Sequence, residues 1–368
     1  MVSVQTVCAE TEESALTEAV PNEFSDFLDV LPSEILELLP KDLFSDDMAE
    51  LNRSVQHMSD LSYLLKIVLD VIGVHLQDCL QGLATVIGLL LLSAVFSALG
   101  STVKNESVGK AFSLISSLAI LSSILSGGYA SIQAVSDYIS MLNTATAAGI
   151  PLLALLYSVG GNVTAAVAVT GGLTVYMGVL ETVVGRSILP FCGICLAFGF
   201  LNAGGLGLRL GSFLSTFKKH YTTMLAFLMT LLIAMLATQT ALSASADTVA
   251  MRGVRFAAGN LIPVVGGSVA ELLRTVSAGV GYLRSTLGIC GILLLLLMLL
   301  PTLIRLLLYR AMWQIAASMA ELLHCDNEKR LLDEIASLNG YLIAAASICS
   351  SVLILGFVSL TRCVSAIG

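Results

Sequence analysis

The sequence predicts an all-α membrane protein that crosses the bilayer about eight times. Hydrophobic residues make up 56% of the 368 residues and charged residues only 12%, whereas about a quarter of a typical soluble domain is charged. The chain also contains uncharged runs of about 17 to 25 residues, the length that a helix needs to span a bilayer. Six of them lie at Cys79–Val103, Ala111–Ser136, Ser187–Leu208, Thr222–Ala246, Ser285–Ile304 and Ile335–Thr361.

One longer uncharged segment adds two spans to these six. It runs from Tyr138 to Leu180 and holds 43 residues, enough for two helices of about 20 residues each. Gly160, Gly161 and Asn162 are typical turn residues and predict the junction between the two.

The N-terminal 60 residues form a separate acidic arm ahead of the membrane body, residues 61–368. The arm holds fourteen acidic and two basic side chains, and the body twelve and sixteen. Neither part has the clustered Lys and Arg that neutralise phosphates, so the charge pattern excludes nucleic acid as a partner.

Short amphipathic helices are predicted in this arm between Asn22 and Arg53. Apolar residues recur there at helical spacing, at Phe24, Phe27, Leu28 and Leu31 and again at Ile35, Leu36, Leu38 and Leu39. These helices either pack on the membrane body or dock a partner protein outside the membrane, and the pattern favours neither.

Residues 1–9 have the character of a signal-peptide remnant. Val7 and Ala9 suit positions −3 and −1 of a signal-peptidase site. An ordinary N-terminal segment is the alternative interpretation.

Small residues recur every four positions in two of the predicted spans, a spacing that lets helix backbones approach closely. We expect helix packing there, either within one chain or between subunits of a homo-oligomer. The positions are Gly160, Thr164, Ala168 and Gly172 in the first span, and Gly199, Ala203, Gly207 and Gly211 in the second.

Glu181 is the best candidate for an intramembrane polar residue. A charge in the hydrocarbon is costly and usually faces protein or water. Arg186 follows five residues later, so Glu181 either forms an interfacial ion pair with it or takes part in the transfer of protons or solutes.

The orientation follows from Lys and Arg in short loops, which favour the cytoplasm. With the acidic arm outside, Lys104, Lys218 and Arg305 fall inside, and Asp137 falls in an outer loop. The segment from Asp326 to Leu338 then forms an amphipathic helix on the cytoplasmic side. Arg186 and the arginines between 244 and 287 would face outward against the rule, unless the latter stretch folds back as a re-entrant or interfacial helical segment.

This stretch, residues 244–287, carries the strongest candidate motif. It holds Asp247, Arg252 and Arg255, then a break at Asn260, Pro263, Gly266 and Gly267. Backbone that unwinds near a bilayer must be covered by protein or face water. The break is therefore either a half-helix junction that binds a solute or a turn between two interfacial helices. Arg252 and Arg255 share a helix face, where they could bind lipid phosphate or line a polar passage.

No enzyme is expected, and no cofactor or metal. Nucleophile-elbow, phosphate-loop, dinucleotide-binding and zinc-protease motifs are missing from the sequence. The four His residues, at 57, 75, 220 and 324, share no helical face.

The run ASADTVAMRGVRFAAGNLIPVVGG, residues 244–267, together with the apolar helix before it, resembles the stage III sporulation protein AE family of endospore-forming bacteria. The resemblance covers most of the chain and is most specific from Ser215 to Arg310. It implies a non-enzymatic component of the mother-cell/forespore transenvelope channel complex, integral to the mother-cell membrane around the forespore. Its implied partners are the other stage III A proteins and a forespore membrane protein.

The resemblance marks Asp247, Arg252, Asn260, Pro263, Gly266 and Gly267 as motif positions without assigned chemistry. Two other functions stay open at this point. One is a self-sufficient secondary transporter with its site at the broken helix around Asn260, and the other is a structural scaffold that binds partners through the acidic arm.

Overall fold

A computed structural model describes residues 24–31, 33–36, 39–40, 48–102, 106–159, 163–203, 211–261 and 266–362. Within these ranges, the side chains of residues 239–284 and of most residues between 96 and 130 are not described. Every regular element in the described part is a helix, as the fold class predicts.

Ten α-helices follow one another in the described part of the chain. They are α1 (24–29), α2 (Ser33–Leu36), α3 (Met48–Met58), α4 (Leu61–Thr102), α5 (Glu106–Val159), α6 (Val163–Leu180), α7 (Ile188–Ala203), α8 (Gly211–Leu261), α9 (Gly266–Leu322) and α10 (Asp326–Arg362).

Six segments of the described residues are long and apolar enough to cross a membrane, instead of the eight that we predicted. They are Leu61–Val95, Ser131–Ser158, Ala166–Leu201, Gly211–Thr238, Ser285–Leu322 and Asp326–Ser359. The chain is therefore a polytopic all-α membrane protein, but the predicted number of spans is wrong for this part of it.

Two features account for the difference. First, α6 and α7 were predicted as separate spans because Glu181 and Arg186 interrupt the uncharged run. A five-residue π-helix, Glu181–Gly185, instead connects them as parts of one candidate span.

Second, α5 runs without a break from Glu106 to Val159, so Asp137 lies inside a helix and not in the predicted outer loop. Most side chains of the predicted span Ala111–Ser136 are not described.

Helix α10 is the central element of the bundle and contacts α5, α6, α7, α8 and α9. Three contacts show that α6 and α7 run antiparallel to it. Leu173 lies against Gly356, Phe191 lies 5.5 Å from Tyr341 between ring centroids, and Gly199 lies against Glu334. These pairs assign each residue of the α6–α7 segment a level along α10.

Helices α9 and α10 are joined by a tight turn that residues 320–325 close. His324 has φ 58°, the left-handed conformation that ends many helices. Cys325 N–H donates to the Ala320 carbonyl and His324 N–H to the Glu321 carbonyl, the hydrogen-bond pattern of a Schellman cap. Ala320 and Cys325 are both buried in the small second core that α4, α9 and α10 share. The turn therefore sets these last two helices antiparallel.

The arm packs on the membrane body through its apolar side chains. Phe24, Phe27, Leu28 and Leu31 are buried in the main core. Phe27 is fully buried, with its ring centroid 6.2 Å from that of Phe357 in α10. Of the two roles considered for the amphipathic arm helices, the structure shows packing on the body.

Asp60 connects the arm to the body by capping α4. Its carboxylate accepts hydrogen bonds from the Ser62 hydroxyl, 2.8 Å, and the Ser62 N–H, 3.3 Å. These bonds lower the pKa of the Asp60 carboxyl, since they stabilise its charged form. The cap fixes the point at which the first long helix begins.

The arm and Lys218 lie at opposite ends of the bundle. Phe27 lies at the level of Phe357, near the C-terminal end of α10, whereas Lys218 lies at the level of Glu334, near its start. Which of these ends faces the cytoplasm stays a prediction.

The stretch from 244 to 287 continues the two helices on either side of it, and its predicted re-entrant or interfacial position stays a prediction. Helix α8 has 51 residues and α9 has 57, so they are about 76 and 86 Å long at 1.5 Å per residue. The stretch consists of the end of α8 and the start of α9. Each helix is more than twice as long as the hydrocarbon layer is thick, about 30 Å.

We expect Gly291→Ala to destabilise the bundle by about 1 to 3 kcal/mol through overpacking. The added methyl carbon would lie 2.5 Å from the ring of Phe357, which is fully buried and cannot move aside freely. Thermal unfolding of the purified protein in detergent measures the effect.

Gly193→Ala in α7 is the matched control, because nothing lies within 4 Å of its added carbon. An unchanged unfolding temperature for Gly291→Ala would contradict the close packing of α9 on α10. Combining Gly291→Ala with Phe357→Leu should restore part of the lost stability.

Candidate intramembrane polar site

Polar and charged side chains form one continuous surface on the outside of α5 and of the α6–α7 segment, which we call the polar face. Five of its six residues are exposed and Asn143 is half-buried. The polar face consists of Asp137, Ser140 and Asn143 on α5 and of Glu181, Thr182 and Arg186 on the α6–α7 segment.

The polar face lies at the level of the uncharged part of α10. No Asp, Glu, Lys or Arg occurs between residues 335 and 361. Glu181 lies between Leu173 and Phe191, whose partners on α10 are Gly356 and Tyr341. Tyr138, next to Asp137, shares a 2.5 Å hydrogen bond with Ser350. Charged side chains are therefore exposed at a depth where the central helix is wholly uncharged.

Asn143 and Glu181 connect the two halves of the polar face. The Asn143 amide Nδ2 donates to the Glu181 carboxylate Oε2 at 2.9 Å. The predicted ion pair between Glu181 and Arg186 is not among the salt bridges of the described side chains. One amide hydrogen bond leaves most of the acceptor capacity of a carboxylate unused, so Glu181 can accept further donors from water or protein.

Glu181 also begins the π-helix of the α6–α7 segment. Arg186 N–H donates to the Glu181 carbonyl at 3.1 Å, an i to i+5 bond. Single π-turns within α-helices are rare and occur often at functional sites. This turn sets the direction in which Glu181, Thr182 and Arg186 leave the helix.

A second polar group lies inside the bundle, near the start of α10. Lys218 Nζ lies 2.5 Å from Glu334 Oε1, and these side chains are only 12% and 13% exposed. Lys218 also donates to the Ser337 hydroxyl at 3.2 Å and lies over the Tyr341 ring, 6.0 Å from its centroid. The ion pair ties α8 to α10.

Gly199 and a group of aromatic rings surround this ion pair. A methyl carbon at Gly199 would lie 2.7 Å from Glu334 Cγ. The Glu334 side chain therefore fits beside α7 because residue 199 has no side chain. Phe191 stacks on Tyr221, with ring centroids 3.8 Å apart, and also contacts Phe217. Helices α7, α8 and α10 therefore meet in a polar contact beside an aromatic one.

The motif between 244 and 287 lies largely outside the described side chains. Asp247, Arg252, Arg255 and Asn260 belong to the helical backbone of α8, and Gly266 and Gly267 are the first residues of α9. Pro263 lies outside the described residues, between these helices. The predicted break therefore coincides with the end of α8 and the start of α9, and the chemistry of its side chains stays a prediction.

The predicted small-residue positions lie in different surroundings. Gly172 is buried, Ala168 is half-buried and Thr164 is exposed. Gly199 is buried against Glu334, whereas nothing lies within 4 Å of an added carbon at Gly211. Gly160, Gly207 and the side chain of Ala203 are outside the description. Their packing role stays a prediction.

Sequence reasoning missed the polar face as a whole and the ion pair. It noted Glu181 but placed Asp137 and Arg186 outside the membrane, and it placed Lys218 and Glu334 on solvated surfaces. One signal in the sequence pointed to this contact. Gly199 lies within an uncharged run, and the four-residue spacing of small residues that begins there predicts a close approach of helix backbones. Among the described residues, no group of three or more His, Cys, Asp or Glu could hold a metal ion.

Comparison with known proteins gives one consistent result. A family model described as stage III sporulation protein AE matches residues 44–366. The stage III sporulation protein AE of Bacillus subtilis (strain 168) is 26% identical over 298 residues, which cover 77% of this chain and 70% of the relative. No solved structure matches the chain.

We expect Lys218→Met alone to destabilise the protein by about 3 kcal/mol, because it leaves the buried Glu334 carboxylate unpaired. The double variant Lys218→Met with Glu334→Leu should recover most of this loss, since both charges are then gone. Thermal unfolding in detergent measures both. Lys219→Met is the control, because Lys219 is the exposed neighbour on the same helix. Equal effects of the two single variants would show that the ion pair contributes nothing.

Proposed function

The chain belongs to the stage III sporulation protein AE family, and from this premise we propose that it is a non-enzymatic membrane component of the transenvelope channel complex between mother cell and forespore. The chain would be integral to the mother-cell membrane that surrounds the forespore. Its partners would be the other stage III A proteins and a protein of the forespore membrane. The family membership and the membrane fold support a role in sporulation, and the polar face supports the channel.

The single observation that carries the channel is the exposure of charged groups at bilayer depth. Each such group costs about 2.5 to 3.5 kcal/mol at the centre of a spanning helix, so it is usually turned towards protein or water. Asp137, Glu181 and Arg186 are instead exposed on one side of the bundle. We infer that this side borders a water-filled passage.

The surface of α8 has the opposite character. Phe227 and Leu231 of α8 are 65% and 46% exposed. These large apolar side chains suit contact with lipid tails. The body therefore has an apolar surface on α8 apart from the polar face, as expected of a subunit placed between a passage and the bilayer.

Water accessibility tests this proposal. Single cysteines at Ser140 and Thr182, on the polar face, should react with a membrane-impermeant methanethiosulfonate in intact membranes. The native background favours the assay, since all six described cysteines are buried; Cys8 and Cys363 would be replaced by alanine.

Phe227→Cys is the matched control, because Leu228 accepts a 2.6 Å hydrogen bond from Tyr176, which places Phe227 near the level of Glu181. We expect the two polar-face cysteines to react at least about tenfold faster, since thiolates form in water and not in lipid. Equal rates at all three positions would overturn the passage.

A second prediction concerns the motif between 244 and 287. If its polar side chains border the same route, Asn260→Ala, and Arg252→Ala combined with Arg255→Ala, should lower spore yield while the protein level is unchanged. Gly266→Leu should lower both, because that position is proposed to accept a neighbouring backbone. Spore counts beside immunoblots in an endospore-forming host measure these effects. Normal sporulation in the first two variants would favour a scaffold.

A further inference from the structure

Asp137 and Arg186 carry opposite charges at the same level of the polar face, on neighbouring helices. A methyl carbon at Gly185 would lie 3.6 Å from Ile139 Cγ2, so residues one or two positions from Arg186 and Asp137 lie close to each other. Both charged side chains are exposed, and no salt bridge between them is found in the described part of the chain. Each charge is therefore available to a group outside this chain.

We propose that a second copy of this chain covers the polar face, with Asp137 of each copy paired to Arg186 of the other. This inference rests on the proposed function, because it identifies what closes the passage on its open side. A single copy leaves the polar face open to the bilayer. The passage is incomplete until another chain separates that side from lipid.

Symmetry makes a second copy a suitable occupant. A two-fold axis along the membrane normal keeps every residue at its own depth and brings α5 of one copy opposite the α6–α7 segment of the other. Asp137 and Arg186 differ in depth by a few residues at most, as the contact between Gly185 and Ile139 shows. An arginine side chain can bridge such a difference and bind a carboxylate with two parallel hydrogen bonds.

The charges on the polar face of one copy are also complementary to those on the polar face of a second copy. The face carries two carboxylates and one guanidinium, so a copy turned by two-fold symmetry offers the opposite charge to Asp137 and to Arg186. Glu181 and Asn143 lie between these two pairs and would remain beside the passage. A surface of one sign would instead have required a partner of the other sign.

The α6 surface next to Glu181 leaves room for such an approach. Nothing lies within 4 Å of an added carbon at Gly171 or Gly178, so the backbone of α6 is open at these points. Glycines on a helix surface allow helices to pack closely in membranes. They permit the contact, and the charge pairs specify it.

Charge reversal on separate chains tests the proposal. A chain with Asp137→Arg carries two arginines in the interface, and a chain with Arg186→Asp carries two aspartates there, so each alone should repel its own copy. When the two are expressed together, both cross-pairs regain opposite charges. We expect spore yield at least about tenfold higher in the co-expressing strain than with either chain alone. If Asp137 and Arg186 paired within one chain, co-expression of the two variants would not restore spore yield.

Cross-linking provides a second measurement that does not depend on reversed charges. Differently tagged full-length chains with Asp137→Cys and Arg186→Cys are expressed together and treated with a short bifunctional methanethiosulfonate. A cross-linked species that carries both tags is expected. Chains that both carry Phe227→Cys are the control at a similar level and should give none.

Both results are required, and failure of either one at normal protein level overturns the proposal. Failure of the passage itself would appear differently, as slow labelling at Ser140 and Thr182. Fast labelling without the cross-link would leave the passage in place and show that another protein, and not a second copy, closes it.

Discussion

The structure depends on one constraint, the uncharged stretch of α10 from residue 335 to 361. Five helices pack against α10, so the depth of described side chains on these helices can be measured along it. The hydrocarbon cannot satisfy exposed charges or free backbone groups. A helix that is uncharged over 27 residues therefore identifies the depth at which any charge on a neighbouring helix needs an explanation. The ion pair of Lys218 and Glu334 lies at the edge of this zone, and Asp137, Glu181 and Arg186 lie within it.

The sequence predicted the helical class and the amphipathic character of the arm well, for clear reasons. Hydrophobic excess and uncharged runs report directly on a membrane environment. The 3- and 4-residue spacing of Phe24, Phe27, Leu28 and Leu31 reports directly on one buried helix face, which the structure shows. Glu181 was recognised as unusual because few charges occur between residues 111 and 208. The junction of two spans at Gly160 also agrees with the ends of α5 and α6.

The span count failed because charge was treated as a marker of span ends. At Asp137 and at Glu181 to Arg186 the helices continue through the charges. Only the three-dimensional packing shows that these charged residues lie on neighbouring helices and face the same side of the bundle. The ion pair was missed for a related reason, since Lys218 and Glu334 are 116 positions apart and each belongs to a locally amphipathic segment. Pairing between distant positions cannot be derived from the periodicity of one chain.

The π-turn at Glu181–Gly185 also affects how this chain can change by insertion and deletion. A π-turn accommodates one extra residue within an α-helix. Buried positions continue at 180, 184, 188, 191, 195 and 199 on both sides of the turn. A single deletion between 181 and 185 would remove the extra residue, restore a regular α-helical turn and leave Phe191 and Gly199 facing α10. A single deletion between 188 and 199 would instead rotate everything after it by about 100°. The π-turn is therefore the place in this segment where a one-codon loss is tolerated best, and α7 is the part whose length is strictly determined.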